Sequence, residues 1–221
     1  MSVGADLQAR LAAVEDELSL LKAEFDDLTL LYQATIEHGE AVEDQLAESN
    51  MELQRTQKRL SEELTEATNY IFSILPEPRN AAPRTQWLLV PSTELGGDSF
   101  GYHDIDVDHI AFYLLDVCGH GVGASLLSVT AINVLRSAAL PNTDFRDPGA
   151  VLSSLNDAFP MERQNNMYFT IWYGVYQRSS GALRYASAGH PASVLCKKGA
   201  EVLTLSTPGI AIGMMPEMSY R

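Results

Sequence analysis

One repeat commits the first third of the chain to a single kind of structure. Apolar residues fall at Leu7, Leu11, Val14, Leu18, Leu21, Phe25, Leu28 and Tyr32, in steps that alternate four and three. That spacing is the seam of a two-stranded coiled coil. With Leu11 at an a position and Leu7 at a d position, the same register predicts Val42, Leu46, Leu53, Leu60, Ala67, Tyr70 and Ile74. All are apolar or aromatic, so the phase holds for about nine heptads, far longer than a globular helix needs. The middle is weaker, with Thr35, Gly39, Ser49 and Thr56 on the seam. A glycine in a helix interior costs about 1 kcal/mol relative to alanine, so residues 37–40 read as a soft joint in the rod. A helical hairpin turning at His38-Gly39 is the competing arrangement, but a glycine without proline or a polar cluster makes a poor turn. His38 reads as a solvated helix residue rather than a phosphoacceptor. Leu75-Pro76 ends the helix, because proline disfavours helical geometry in the residue before it.

Charge follows the same division. The chain of 221 residues has a net charge of −14, and residues 1–75 hold 16 acids against 5 bases. The remaining residues, with 13 acids and 10 bases, are close to balanced. There is no basic footprint for nucleic acid, and binding to an anionic membrane surface is disfavoured. No stretch reaches the roughly 20 apolar residues that span a bilayer. The N-terminus lacks the basic and apolar regions of a secretory signal, so a cytoplasmic location is expected. Hydrophobic residues make up 46% of the chain, enough for a real core. The two cysteines, Cys118 and Cys196, support neither a disulfide framework nor a structural zinc site.

Pro76, Pro78 and Pro83 mark a short linker over residues 76–83, and a domain follows over 84–221. Strand-like runs are predicted at 86–90, 110–115, 168–177, 183–188, 193–197 and 202–205, with 101–108 as a polar turn. Hairpin turns are expected at residues 178–181 and at Lys198-Gly199. Residues 122–140 form a helix buried on more than one side, and 150–159 a second one starting near Asp147 or Pro148. Asp104, Asp106 and Asp108 alternate as in a calcium loop, but the glycine and distal glutamate of an EF-hand are missing, so they read as a solvated hairpin. Two helices among antiparallel strands give an α+β fold, a β-sandwich flanked by helices, preceded by the long α-helical coiled coil.

The chemistry concentrates in residues 94–127, from Glu94 through Gly96-Gly97-Asp98 to Asp116-Val117-Cys118-Gly119-His120-Gly121 and the apolar helix beyond. Asp98 and Asp116 each end an apolar or small-residue run beside a glycine turn. Carboxylates with nearby backbone carbonyls suit a hard cation such as Mg²⁺ or Mn²⁺. Taken singly each has an ordinary reading: Asp98 as a turn residue, Asp116 as the N-cap of the following helix. Cys118 reads as a small residue tolerated in a tight turn rather than a nucleophile.

Together with Ala188-Gly189-His190-Pro191, these motifs resemble, in order and spacing, the metal-dependent serine/threonine phosphatases of type 2C. The nearest branch is that of the bacterial stage II sporulation and stress-response phosphatases. The resemblance covers about residues 70–221 and implies a four-layered sandwich. It also implies that Asp116 bridges two Mn²⁺ or Mg²⁺ ions, that Val117 lends a carbonyl, and that Asp98 ligates directly or holds water beside a metal. His120 in this branch binds phosphate, donates a proton, or only shapes its turn. His190 is expected to be a turn histidine bonded to local backbone. The implied substrate is a phosphoserine or phosphothreonine on a STAS-type anti-sigma antagonist, and the rod implies a homodimer served by an upstream sensory module such as a receiver domain. In that family two later aspartates complete the metal site, whereas here no aspartate follows Asp157. The sequence is therefore read as a domain truncated at its C-terminus, inactive as it stands. The rival reading is a catalytically inactive dimeric adaptor.

Overall fold

The computed structural model describes residues 3–90, 95–197, 199 and 201–221; Glu94 and Lys198 lie outside the described residues. Contacts divide the chain into two units, Met1–Ser61 and Glu62–Arg221.

Helix α1, Val3–Ile74, runs without interruption through Gly39, so the helical hairpin is replaced by continuous helix. Thr35 and Thr56 fit on the seam because their hydroxyls bond back to Leu31 O at 2.8 Å and Glu52 O at 3.0 Å. That local bond satisfies a polar side chain without breaking the helix. The seam residues of the first unit, Leu11 and Leu53 among them, are exposed to solvent. The helix stops at Ile74, two residues before the proline, as expected.

In the second unit, an antiparallel sheet runs β1 (Asp98–Asp104), β2 (His109–Val117), β3 (Phe169–Gln177) and β4 (Leu183–Ala188), in that spatial order. Helices α2 (Val122–Arg136) and α3 (Pro148–Ala158) cover one face, α2 on β1 and β2, α3 on β3 and β4. The core lies between, built from Tyr113, Leu115, Ile171 and Tyr173 on the sheet and Leu127, Leu135, Val151, Leu152 and Leu155 on the helices. Buried Asn156 ties α3 to the last segment by donating to Met215 O at 2.8 Å and accepting from Gly213 N–H at 2.9 Å. A separate hairpin joins β5 (Ser193–Leu195) and β6 (Leu203–Leu205). The predicted α+β architecture is the one observed.

Several boundaries differ for physical reasons. Residues 86–90 form no strand: no described segment pairs with them, and Leu88 is 87% exposed. An apolar run without a ladder partner stays irregular. Residues 101–104 belong to β1 rather than to a turn, because Gly101 leaves room for the Tyr113 ring: a Cβ there would lie 2.4 Å from it. The polar turn is confined to the residues before His109, and there Asp106 caps Asp108 N–H and His109 N–H at 2.8 Å each. Strand β2 extends past residue 115, placing Asp116 inside the ladder. Helix α2 stops at Arg136 instead of reaching 140, since Ala138 turns left-handed at φ 50.

Candidate metal-binding active site

Antiparallel register builds the site. Asp98, the first residue of β1, stands directly opposite Asp116 on β2, and Asp116 stands opposite Thr170 on β3. Side chains of directly opposed residues share a sheet face, with Cβ atoms roughly 4.5–5.5 Å apart. A row of two carboxylates and a hydroxyl thus crosses three strands at one end of the sheet. Gly97 makes the approach of β1 possible, because a Cβ on it would lie 2.6 Å from Val117 O.

Asp116 is not the helix N-cap. Gly121 holds that position at φ 86, and no side chain caps α2. Gly119, at φ 89, lies in the same tight turn, with His120 exposed between the two glycines. Left-handed backbone at both positions favours glycine. The turn is pinned on either side by Cys118 N–H to Tyr168 O at 2.9 Å and Gly121 N–H to Leu95 O at 3.0 Å. Cys118 Sγ accepts from Tyr168 N–H at 3.2 Å, a packing role in the turn.

A cavity of about 120 Å³ gathers Gly96, Asp98, Asp116, Gly119, His120 and Ser125. Its remaining wall includes Leu89 and the last turns of α1, through Thr68, Ile71 and Phe72. The structure therefore brings Asp98, Asp116 and His120 together. Val117 turns its side chain into the core while its carbonyl lies against Gly97.

Electrostatically the pair is unbalanced. Desolvation pushes the Asp116 carboxyl above its ordinary value, and the charge of Asp98 and a hydrogen bond with it push in the same direction. Two acids this close favour a shared proton or a cation. With backbone oxygens and water, the donor set suits one hydrated hard divalent ion, for which one or two carboxylates are sufficient. For two ions it falls short. Among the described residues, no group of three or more His, Cys, Asp or Glu side chains is placed to hold a metal.

His190 departs from its expected role. Its Nδ1 lies 3.0 Å from Thr170 Oγ1, twenty residues away, rather than against local backbone. Burial holds its pKa below the ordinary value, partly opposed by the charge of Asp98. Sequence reasoning passed over Thr170, whose only signal is a lone hydroxyl at the start of the apolar run of β3.

The sequence matches the family "Stage II sporulation protein E (SpoIIE)" over residues 106–221, more than half of the chain. The chain belongs to the SpoIIE family. This member is 26% identical over 209 residues to the phosphoserine phosphatase RsbU of Bacillus subtilis (strain 168), a span of 92% of this chain and 59% of that protein. With the phosphoserine phosphatase RsbP of the same organism it shares 25% identity over 134 residues, 59% of this chain and 32% of RsbP. The chain thus spans about three fifths of RsbU and a smaller share of RsbP. Its fold matches the SiaA-PP2C domain of Pseudomonas aeruginosa with a TM-score of 0.57 at 23% identity, covering 75% of this chain and 66% of that one. The SpoIIE-family fold here is thus that of the type 2C phosphatases.

Proposed function

We propose that the chain carries the core of a divalent-metal-dependent protein phosphatase acting on phosphoserine or phosphothreonine in a bacterial partner-switching pathway. The observation that carries this reading is the facing pair Asp98 and Asp116 at a cavity that also holds His120. Kinship with phosphoserine phosphatases supports it. The substrate we propose is a phosphorylated STAS-type anti-sigma antagonist, met in the cytoplasm by a homodimer joined through α1.

Asp116 and Asp98, with the Val117 carbonyl, would hold Mn²⁺ or Mg²⁺. When bound, such ions lower the pKa of water and offset charge on a phosphoryl group. The protein's own contribution is placement. The β1–β2 register fixes the two carboxylates, and the glycine turn leaves His120 free to meet a phosphate oxygen or the leaving serine oxygen. The first turn of α2, lacking a side-chain cap, offers backbone N–H groups of the sort that favour anions.

The test is Mn²⁺-stimulated hydrolysis of a phosphoserine substrate by the purified protein. Asp116→Ala is expected to abolish it and Asp98→Ala to reduce it severely. Half the activity surviving in the Asp116 variant refutes the assignment.

A second reading, a non-catalytic dimeric adaptor, is favoured by the incomplete donor set among the described residues. On that reading the chain is expected to bind Mn²⁺ only in the millimolar range and to show no turnover. Calorimetry revealing two tight sites would contradict that.

A further inference from the structure

The turn that carries His190 is built to hold the ring still. Gly189 is left-handed at φ 68, bridges to Ile171, and fits so closely against the last segment that a Cβ on it would lie 3.2 Å from Ala211 N. Ser187 Oγ donates to His190 O at 3.2 Å, fixing the backbone from the other side. The ring then meets Thr170 through Nδ1 at 3.0 Å, and Thr170 faces Asp116 across the β2–β3 ladder. A threonine hydroxyl has one proton to donate and lone pairs to accept with. If Nδ1–H donates to Thr170 Oγ1, the threonine proton is directed elsewhere. Asp116 stands directly opposite on the same sheet face, with Cβ atoms roughly 4.5–5.5 Å apart, and its carboxylate is not hydrogen-bonded to Thr170 in this structure.

We propose that His190 and Thr170 are positioning residues for Asp116: the imidazole fixes the Thr170 hydroxyl, and the hydroxyl orients the carboxylate toward a divalent cation. The inference rests on the reading of Asp98 and Asp116 as a cation site. Groups that orient a metal-binding side chain in this way typically change metal affinity by tenfold or more when removed.

Two measurements on the purified chain test it. Long-range proton–nitrogen NMR of the metal-free protein reads the ring's tautomer, and free Mn²⁺ measured by paramagnetic resonance reads the affinity. The neutral ring is expected to carry its proton on Nδ1. Thr170→Val, which keeps the shape and removes the hydroxyl, is expected to weaken Mn²⁺ binding about tenfold, with the near-ultraviolet dichroism unchanged. Thr170→Ser should retain wild-type affinity. His190→Ala should match Thr170→Val, and the double variant should be no weaker than either single one, because the two act as one unit. His190→Asn, whose amide N–H replaces Nδ1–H, should recover most of the loss. Wild-type affinity in Thr170→Val, while Asp116→Ala abolishes binding, overturns the positioning role and leaves the cation site standing. Unchanged binding in Asp116→Ala overturns both. A proton on Nε2 alone, with additive losses in the double variant, also overturns the pairing.

Discussion

Asp98 and Asp116 face each other on one sheet face without a cation among the groups that act on Asp116. Like charges directly opposite on neighbouring strands are destabilising, and a cross-strand pair is worth roughly 0.2–1 kcal/mol. Asp98→Asn should therefore raise the stability of the metal-free protein by an amount in that range, read as a higher midpoint in urea at neutral pH. An unchanged or lower midpoint means that the acids do not repel and already share a compensating partner. The two carboxylates were legible in the sequence because each stood beside a glycine turn. Their mutual approach was not, since it depends on β1 reaching back to residue 98, and Gly101 read as a turn although it accommodates the Tyr113 ring within a strand. The His190–Thr170 contact was hidden for the same reason. It joins residues twenty apart whose proximity comes only from the β3–β4 hairpin and the parallel bridge at Ile171.

At the level of elements, the far end of the sheet is clamped by side chains that the alternating aspartates only suggested. Asp108, just before β2, accepts from Ser179 Oγ at 2.7 Å, Ser179 N–H at 2.8 Å and Gln177 Nε2 at 2.8 Å. Those bonds, the Ser179 hydroxyl first, hold its carboxyl below the ordinary value of 3.8. A depressed folded pKa means that the stabilisation is complete above the unfolded value and is lost as pH falls through the folded one. The window therefore opens below about pH 3.8. In a series of thermal midpoints, the wild-type protein should lose stability through that window more steeply than Asp108→Asn, and the two curves should converge at the acid end. Parallel curves would show that the clamp carries no pH-linked energy. Turn chemistry and alternation made β3, β4 and the hairpin between them readable almost to the residue. Residues 86–90 misled because a run of apolar residues suggests a strand but never supplies the neighbouring one.

For the molecule as a whole, the continuous helix is the feature with consequences. Its seam leaves Leu11, Phe25, Leu46 and Leu53 exposed at coiled-coil spacing, an arrangement that a second copy of the chain would bury. Within the second unit, the same helix ends with Thr68, Ile71 and Phe72 against the cavity of Asp98 and Asp116. Arg136, in the last turn of α2, donates to Ile74 O at 3.0 Å. Helix α2 begins at the glycine turn that follows Asp116, so its two ends touch the loop beside Asp116 and the end of α1. Packed helices favour discrete arrangements, which lets a change in seam phase bias such contacts. The chain is expected to dimerise through α1, and deletion of residues 1–68 should give a monomer that no longer responds to an upstream signal. Inserting four residues after Arg59 shifts the seam's phase while leaving each heptad stretch able to pair. That variant should remain dimeric by light scattering and show altered phosphatase activity. Normal dimerisation with activity and regulation both unchanged would reduce α1 to a tether. Loss of the dimer itself would place the pairing energy across the insertion point, in the stretch from Leu53 to Ile74 rather than in the heptads nearer the N-terminus.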